Sequence, residues 1–318
     1  MAIMILGAGG FVGSSVARHC IAQGHRTICV SRTPIAEEKG ALVWVRGDRT
    51  ANDGADIGSL LKTHACTTLI DMIGYSPGET ASLLHQIDGV SVRYVCISSG
   101  DVYRNFGLLH RLETGAPIAG MLDERAALRT SRYPYRLSTP RAMGDPQKWM
   151  DDYDKILVEA LVQEFRSDWT ICRLPMVYGP GDPQRRFGWA YAPMRNQDDK
   201  IELPADWLDW TVTYGYVETV GAAIVHAATH PAAARRVFNI TEDDVPVSHG
   251  VWVHRLAERL GWSGDIVRVA DSNHPIAQAT AAIDLSVDLK VSGAVFRRET
   301  GFKPPYSIED GLQSLIAG

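Results

Sequence analysis

No run of apolar residues in this chain approaches the roughly 20 that a helix needs to cross a bilayer, which argues against a membrane-spanning class. Nothing before the first strand-like run, Ala2 to Leu6, leaves room for the positive region and apolar core of a cleavable signal, so none is expected. Cysteine is scarce. The five residues (Cys20, Cys29, Cys66, Cys96, Cys172) are odd in number and contain no CxxC pair, which argues against a disulfide scaffold and for reduced core thiols in a cytoplasm. Positive charge is not in excess either: 32 Lys and Arg against 37 Asp and Glu give a formal net charge of -5, so a general grip on nucleic acid is not expected. There is no internal repeat and no low-complexity segment. What remains, at 318 residues with 45% hydrophobic and 22% charged, is an ordinary globular composition with room for one large domain or two unequal ones.

Up to about Pro175 the pattern alternates. Apolar, β-branched runs (Ala2 to Leu6, Thr27 to Val30, Leu42 to Val45, Thr67 to Ile73, Arg93 to Ile97, Trp169 to Leu174) are separated by helical stretches such as Val12 to Gln23 and Ile156 to Phe165. This predicts an α/β fold: a doubly wound parallel sheet of Rossmann type over residues 1–174, rejoined by a helix and strand at about 215–240. Residues 175–214 and 241–318, rich in Pro, Gly and Trp, are assigned to a smaller C-terminal substrate lobe. Between Tyr103 and Trp149 the regularity breaks, and the stretch reads as an insertion above the sheet. Gly24 is placed just past a helix, where a left-handed cap is wanted.

The run MILGAGGFVG sets Gly7, Gly10 and Gly13 at the spacing GxxGxxG between the first strand and the first helix. The first allows a tight turn, the second lets backbone approach a pyrophosphate, and the third permits close helix packing; Phe11 and Val12 open the helix whose N–H groups hold the anion. A plain strand-to-helix turn would not need four glycines in seven positions. At the end of the second strand, where an acidic side chain would meet the ribose of NAD, stand Ser31 and Arg32. Arginine pairs with a 2'-phosphate instead, so NADP is favoured, with NAD as the alternative. Asp48, after the third strand, has two readings: contact with the adenine edge, or a loop cap.

With these pieces goes a resemblance. GAGGFVG (Gly7 to Gly13), ISSGDVYR (Ile97 to Arg104), KILVE (Lys155 to Glu159), RLPMVYGPGD (Arg173 to Asp182), and YVETVGAAI with FNI near residues 216–240 resemble the extended short-chain dehydrogenase/reductase superfamily of sugar-nucleotide epimerases and dehydratases. The segments lie in the superfamily's order over about three quarters of the chain. The resemblance implies a catalytic serine at Ser99 and a Tyr-x-x-x-Lys pair whose lysine is Lys155. In that mechanism the tyrosine exchanges a proton with substrate oxygen, the lysine lowers the phenol pKa and holds the ribose, and the serine holds the substrate oxygen.

The tyrosine is missing. Four residues before Lys155 stands Asp151, which at neutral pH is ionised and cannot donate a proton unless burial raises its pKa strongly. Asp151 has two readings, a base or an ion pair with Lys155 across one helical turn, and the ion pair is expected. Tyr153 is the obvious substitute, but two positions apart on a regular helix are about 200° apart, an objection that weakens if the helix begins near it. Tyr103, Tyr133 and Tyr135 are further candidates. A second departure is Met176, at a place where sugar-nucleotide enzymes often carry asparagine.

Arg125, Arg129, Arg132, Arg136 and Arg141 crowd the insertion. They suit either a phosphate or carboxylate clamp, joined by Arg185 and Arg186, or a loop paired to acidic surface. His226 and His230 stand four apart on a helix, but Pro231 ends it at once, and no metal site is assigned. Trp189, Trp207 and Trp210 suit a stacking face or lobe core equally. The resulting expectation is an NAD(P)-dependent epimerase/dehydratase-like oxidoreductase for a nucleotide-linked or other anionic sugar. A catalytically silent NADP-binding regulator is the alternative, and an RNA-associated relative a third reading. Expected partners are a small molecule and a second copy of the chain in a homodimer, with no membrane and no nucleic acid.

Overall fold

Alternate residues of β1 (Ala2–Leu6) enter different cores: Ile3 and Ile5 one, Met4 and Leu6 the other. The neighbouring strands split the same way, with Cys29, Ile70, Val95 and Cys172 on the first side and Ile28, Leu69, Tyr94 and Ile171 on the second. Side chains alternate with a period of two, so strands that are apolar at consecutive positions need cover on both faces, and helices supply it. The structure is a computed structural model and describes residues 1–32, 42–47, 56–242 and 245–317.

After β1 come α1 (Phe11–Ala22), β2 (Arg26–Ser31), β3 (Leu42–Arg46), α2 (Ile57–Thr63), β4 (Thr68–Asp71), α3 (Pro77–Gln86), β5 (Arg93–Ser99), α4 (Arg104–Leu109), α5 (Lys155–Gln163) and β6 (Trp169–Leu174). The chain continues through β7 (Met176–Tyr178), α6 (Gly188–Arg195), β8 (Lys200–Pro204), α7 (Ala205–Asp209), β9 (Tyr214–Tyr216), α8 (Val217–Thr229) and β10 (Arg236–Asn239). It ends with α9 (His249–Leu260), β11 (Asp265–Val269), α10 (Pro275–Thr280), α11 (Ala294–Thr300) and α12 (Ile308–Ala317). A seven-stranded, wholly parallel sheet runs β10-β6-β5-β4-β1-β2-β3, a doubly wound Rossmann arrangement. α1 and α8 cover the first core through Val16, Cys20, Val220 and Ile224; α2, α3 and α5 cover the second through Leu61, Leu83, Val158 and Val162. Gly24 closes α1 at φ +75°.

The strand order reverses between β1 and β4, which opens a crevice above their carboxyl ends, the usual ligand position in such sheets. Two smaller parallel pairs, β8 with β11 and β7 with β9, lie in the later part of the chain. There Trp207 sits 4.0 Å from both the Trp189 and His249 rings, and Trp210 Nε1 donates to the Val287 carbonyl at 3.0 Å. Trp207 and Trp210 are thus buried core rather than a stacking face. All five cysteines are buried, and none is in a disulfide. No helix among the described residues is long and apolar enough to cross a membrane.

Candidate active site

Gly7 leaves β1 at φ +79°, and a methyl group there would stand 2.6 Å from Ile73 Cγ2. At Gly13 a methyl group would stand 2.3 Å from the Gly7 carbonyl oxygen. Both positions demand glycine, one for its conformation and one for the approach of α1 to the loop. Gly10 donates its N–H to the Gly7 carbonyl at 3.1 Å and is the N-cap of α1 without a side-chain cap; the first turn, with Phe11 and Val12, carries no acidic residue. The loop is exposed at Gly9 and Gly10. A helix N-terminus lined by glycine fits a pyrophosphate.

Arg32 is exposed at the carboxyl end of β2, beside the same crevice. The preceding Ser31 hydroxyl accepts from Trp44 Nε1 at 3.0 Å. Asp48, proposed to meet the adenine edge, lies outside the described residues.

The helix bearing the lysine starts at the lysine. Asp154 is the N-cap of α5, its carboxylate accepting from the N–H groups of Ile156 at 3.0 Å and Leu157 at 3.4 Å. Upstream lies a 3-10 turn over Lys148–Asp152, and Tyr153 joins the two in an extended conformation, φ -69°, ψ 121°. The helical rule that sends residues two apart to opposite faces does not apply across this break. Lys155 Nζ lies 5.6 Å from the Tyr153 ring centre and donates to the carbonyls of Gly74 at 2.8 Å and Ile97 at 2.7 Å, beyond β4 and within β5. Ser99, at the end of β5, accepts the Asp101 N–H at 3.2 Å, and the Asp101 carboxylate takes the Tyr153 phenol at 2.6 Å, so serine and tyrosine meet at Asp101. Ser99, Tyr153 and Lys155 therefore converge.

The expected Asp151–Lys155 ion pair is not formed, because Asp151 belongs to the 3-10 turn and not to α5. Its carboxylate instead pairs with Arg141, accepts the Arg141 N–H at 2.9 Å, and meets Lys148 Nζ at 3.0 Å. Burial works against ionisation there, yet these partners hold its carboxyl below the ordinary value. Two more arginines of the insertion act alike: Arg136 meets Asp152 at 3.1 Å and Arg129 meets Asp154 at 3.0 Å. Three arginines thus pin three aspartates around Tyr153. Arg125 pairs with Asp123, Arg186 with Asp182, and Arg132 caps the carbonyls of residues 129–131. Arg129, Arg136 and Arg141 thus tie the insertion to the segment leading into α5, while Arg125 and Arg132 remain exposed.

Sequence reasoning missed Asp101. It is 4% exposed, and its Oδ2 accepts from Tyr153 Oη at 2.6 Å and from Tyr135 Oη at 3.3 Å. Burial raises its carboxyl above the ordinary value, against the pull of Tyr153, Arg129 and Lys155. Burial, then the Asp101 charge, pushes the Tyr153 phenol well up as well, so it stands as a neutral donor. The missed signal was an acidic residue two places after Ser99, in the turn that follows β5. Tyr75 and Trp149 were also missed; their rings lie 4.7 Å apart, with Tyr75 6.1 Å from Tyr153.

The other tyrosines go elsewhere. Tyr103 donates to Asn239 Oδ1 at 2.6 Å in a buried network with Arg173, and Tyr133 lies under the Arg136 guanidinium at 3.8 Å. His226 contacts the Thr300 carbonyl, and His230 caps a short turn through the Ala232 N–H. Met176 opens β7.

The sequence profile of the NAD dependent epimerase/dehydratase family matches residues 3–103. No curated protein is similar to the chain in sequence. Solved structures resemble it over its whole length. The UDP-glucuronic acid 4-epimerase of Bacillus cereus, in complex with UDP-glucuronic acid and NAD, is 16% identical with a TM-score of 0.68, covering 99% of this chain and 97% of its own. MoeE5, also with UDP-glucuronic acid and NAD, is 19% identical with a TM-score of 0.66 over 99% and 97%. The UDP-glucose 4-epimerase of Thermotoga maritima, with UDP-glucose, is 16% identical with a TM-score of 0.67 over 100% and 98%. At these identities the likeness establishes the fold.

Proposed function

We propose that this chain, with the sequence of the NAD dependent epimerase/dehydratase family over residues 3–103 and the fold of sugar-nucleotide epimerases throughout, is an NAD(P)-dependent oxidoreductase of that class, acting on a nucleotide-linked or other anionic sugar. The observation that carries this reading is the convergence of Ser99, Tyr153 and Lys155 beside the glycine loop, although the tyrosine stands two places from the lysine instead of four. Gly7, Gly10, Phe11, Val12 and Gly13 would hold the pyrophosphate, Lys155 the nicotinamide ribose, and Arg32 the 2'-phosphate that makes NADP the favoured form. The nicotinamide supplies reversible hydride transfer. Tyr153 Oη gives a proton to, or takes one from, the substrate oxygen; Ser99 orients that oxygen; Lys155, held by two carbonyls, fixes the floor of the site.

The test is a fluorescence titration with NADPH and NADH, followed by turnover assays with UDP-hexoses and UDP-uronic acids. Saturable binding with turnover lost in Tyr153→Phe supports the reading. Binding without any turnover favours a silent regulator, and absence of binding removes both.

A further inference from the structure

Asp101 is a buried carboxylate that the proposed triad does not use. Among the described residues no cation lies within ion-pair distance of it; Arg129 gives its Nε to the Asp101 backbone carbonyl at 2.9 Å and its Nη2 to Asp154 at 3.0 Å. Oδ2 takes two phenols, and Oδ1 is buried without any hydrogen-bond partner. A buried carboxylate left half-satisfied costs stability, and such groups are retained where their proton affinity is used. The groups facing it are Tyr153 and Lys155 from the segment leading into α5, Tyr135 and Arg129 from the insertion, and Ser99 through the Asp101 N–H.

We propose that Asp101 is the proton partner of Tyr153, and that proton transfer at the site runs from substrate oxygen through Tyr153 Oη to Asp101 Oδ2 and back. This rests on the reading of Tyr153 as the group that exchanges a proton with substrate. When a substrate hydroxyl loses its proton, that O–H bond breaks and a new one forms on Tyr153 Oη. The phenol's original O–H bond breaks at the same time, and its proton passes to Asp101 Oδ2 over the 2.6 Å contact. The carboxylate becomes a neutral acid, and Tyr153 remains a phenol throughout. In the reverse direction Asp101 returns the proton. Tyr153 therefore needs no free phenolate, which its buried position beside a carboxylate disfavours. Tyr135, on the same oxygen, holds Asp101 in line as a positioning residue.

The experiment uses the whole protein without cofactor. Near-ultraviolet absorbance follows tyrosinate formation with rising pH, and subtraction of Tyr153→Phe isolates Tyr153. Asp101→Asn removes the carboxylate charge and is expected to bring the Tyr153 titration down by about 1 to 3 pH units. An unchanged titration overturns the proposal. Should Asp101→Asn fail to fold, the wild-type protein labelled with carbon-13 at tyrosine Cζ serves instead. The resonance lost in Tyr153→Phe is expected to shift as Asp101 titrates, at a pH above that of an ordinary carboxyl, and a resonance stationary over the whole range in which the protein stays folded overturns the proposal. Neither readout needs turnover, so loss of the relay is distinguishable from loss of the proposed function, which the dinucleotide titration reports separately.

Discussion

Arg129 and Asp154 form a fully buried ion pair, Nη2 to Oδ1 at 3.0 Å, that joins the insertion to the first residue of the capping turn of α5. The carboxylate also accepts the Tyr133 N–H at 2.7 Å. One side chain thus starts the helix, anchors the insertion and fixes the residue after Tyr153.

Removing one partner of such a pair strands the other. Arg129→Met is expected to destabilise the protein by about 3 to 5 kcal/mol in denaturant unfolding, because Asp154 keeps its charge without its counter-ion. Arg136→Met breaks an exposed pair with Asp152 and should cost about 1 kcal/mol or less. Equal losses would show that the buried pair is not the anchor.

Tyr153→Phe and Asp151→Asn separate chemistry from scaffolding. With an NADP-linked sugar-nucleotide assay, Tyr153→Phe should lower kcat about 10²- to 10⁴-fold, the usual worth of a proton donor, with dinucleotide affinity kept. Asp151→Asn loosens the Arg141 contact and should lower kcat far less. The reverse order would make Asp151 the reacting group.

The sheet was legible because its residues report one environment. In β1, β2 and β4 consecutive apolar positions leave only a strand covered on both faces, and the glycine spacing follows from two contacts that no larger residue allows. The catalytic segment was harder, because the position of Tyr153 depends on where α5 starts. Asp151, Asp152 and Asp154 are each plausible caps or pairs in isolation, and only the insertion, through Arg141, Arg136 and Arg129, decides among them. Such pairing at long range leaves no period in the sequence. Asp101 was hidden for the same reason: its partners Tyr135 and Tyr153 come from 34 and 52 residues away.

Gly13→Ala tests the glycine loop. Its added methyl group would meet the Gly7 carbonyl oxygen at 2.3 Å, and backbone cannot rotate aside as a side chain can. A loss of about 1 to 3 kcal/mol in stability is expected, together with loss of measurable dinucleotide binding. Gly78→Ala, which meets nothing within 4 Å, is the control. Retained affinity in Gly13→Ala would place the pyrophosphate elsewhere.

Arg32→Ala addresses cofactor choice. A guanidinium on a phosphate makes charge-assisted bonds of about 1.5 to 3 kcal/mol, so NADPH should bind roughly 10- to 100-fold more weakly while NADH is little changed. Equal weakening for both cofactors would assign Arg32 to general electrostatics.

Acid stability should depend on Glu218, which ties α1, the helix behind the glycine loop, to α8. Its carboxylate pairs with Arg18, meets His19 Nε2 at 3.1 Å and accepts from Ser15 Oγ at 3.0 Å. Burial favours the neutral acid, but the bonds from His19, Arg18 and Ser15 outweigh it and hold the group at about 2, against 4.5 ordinarily. A carboxyl depressed in the folded state binds fewer protons there than in the unfolded chain. Its contribution is therefore present above about 4.5 and is lost as pH falls toward 2. Glu218→Gln, which cannot ionise, should be less stable than the natural protein at neutral pH, and the gap between their denaturant midpoints should narrow across that acid window. Curves that stay parallel down to pH 2 would mean that the cluster does not carry the link between the two helices.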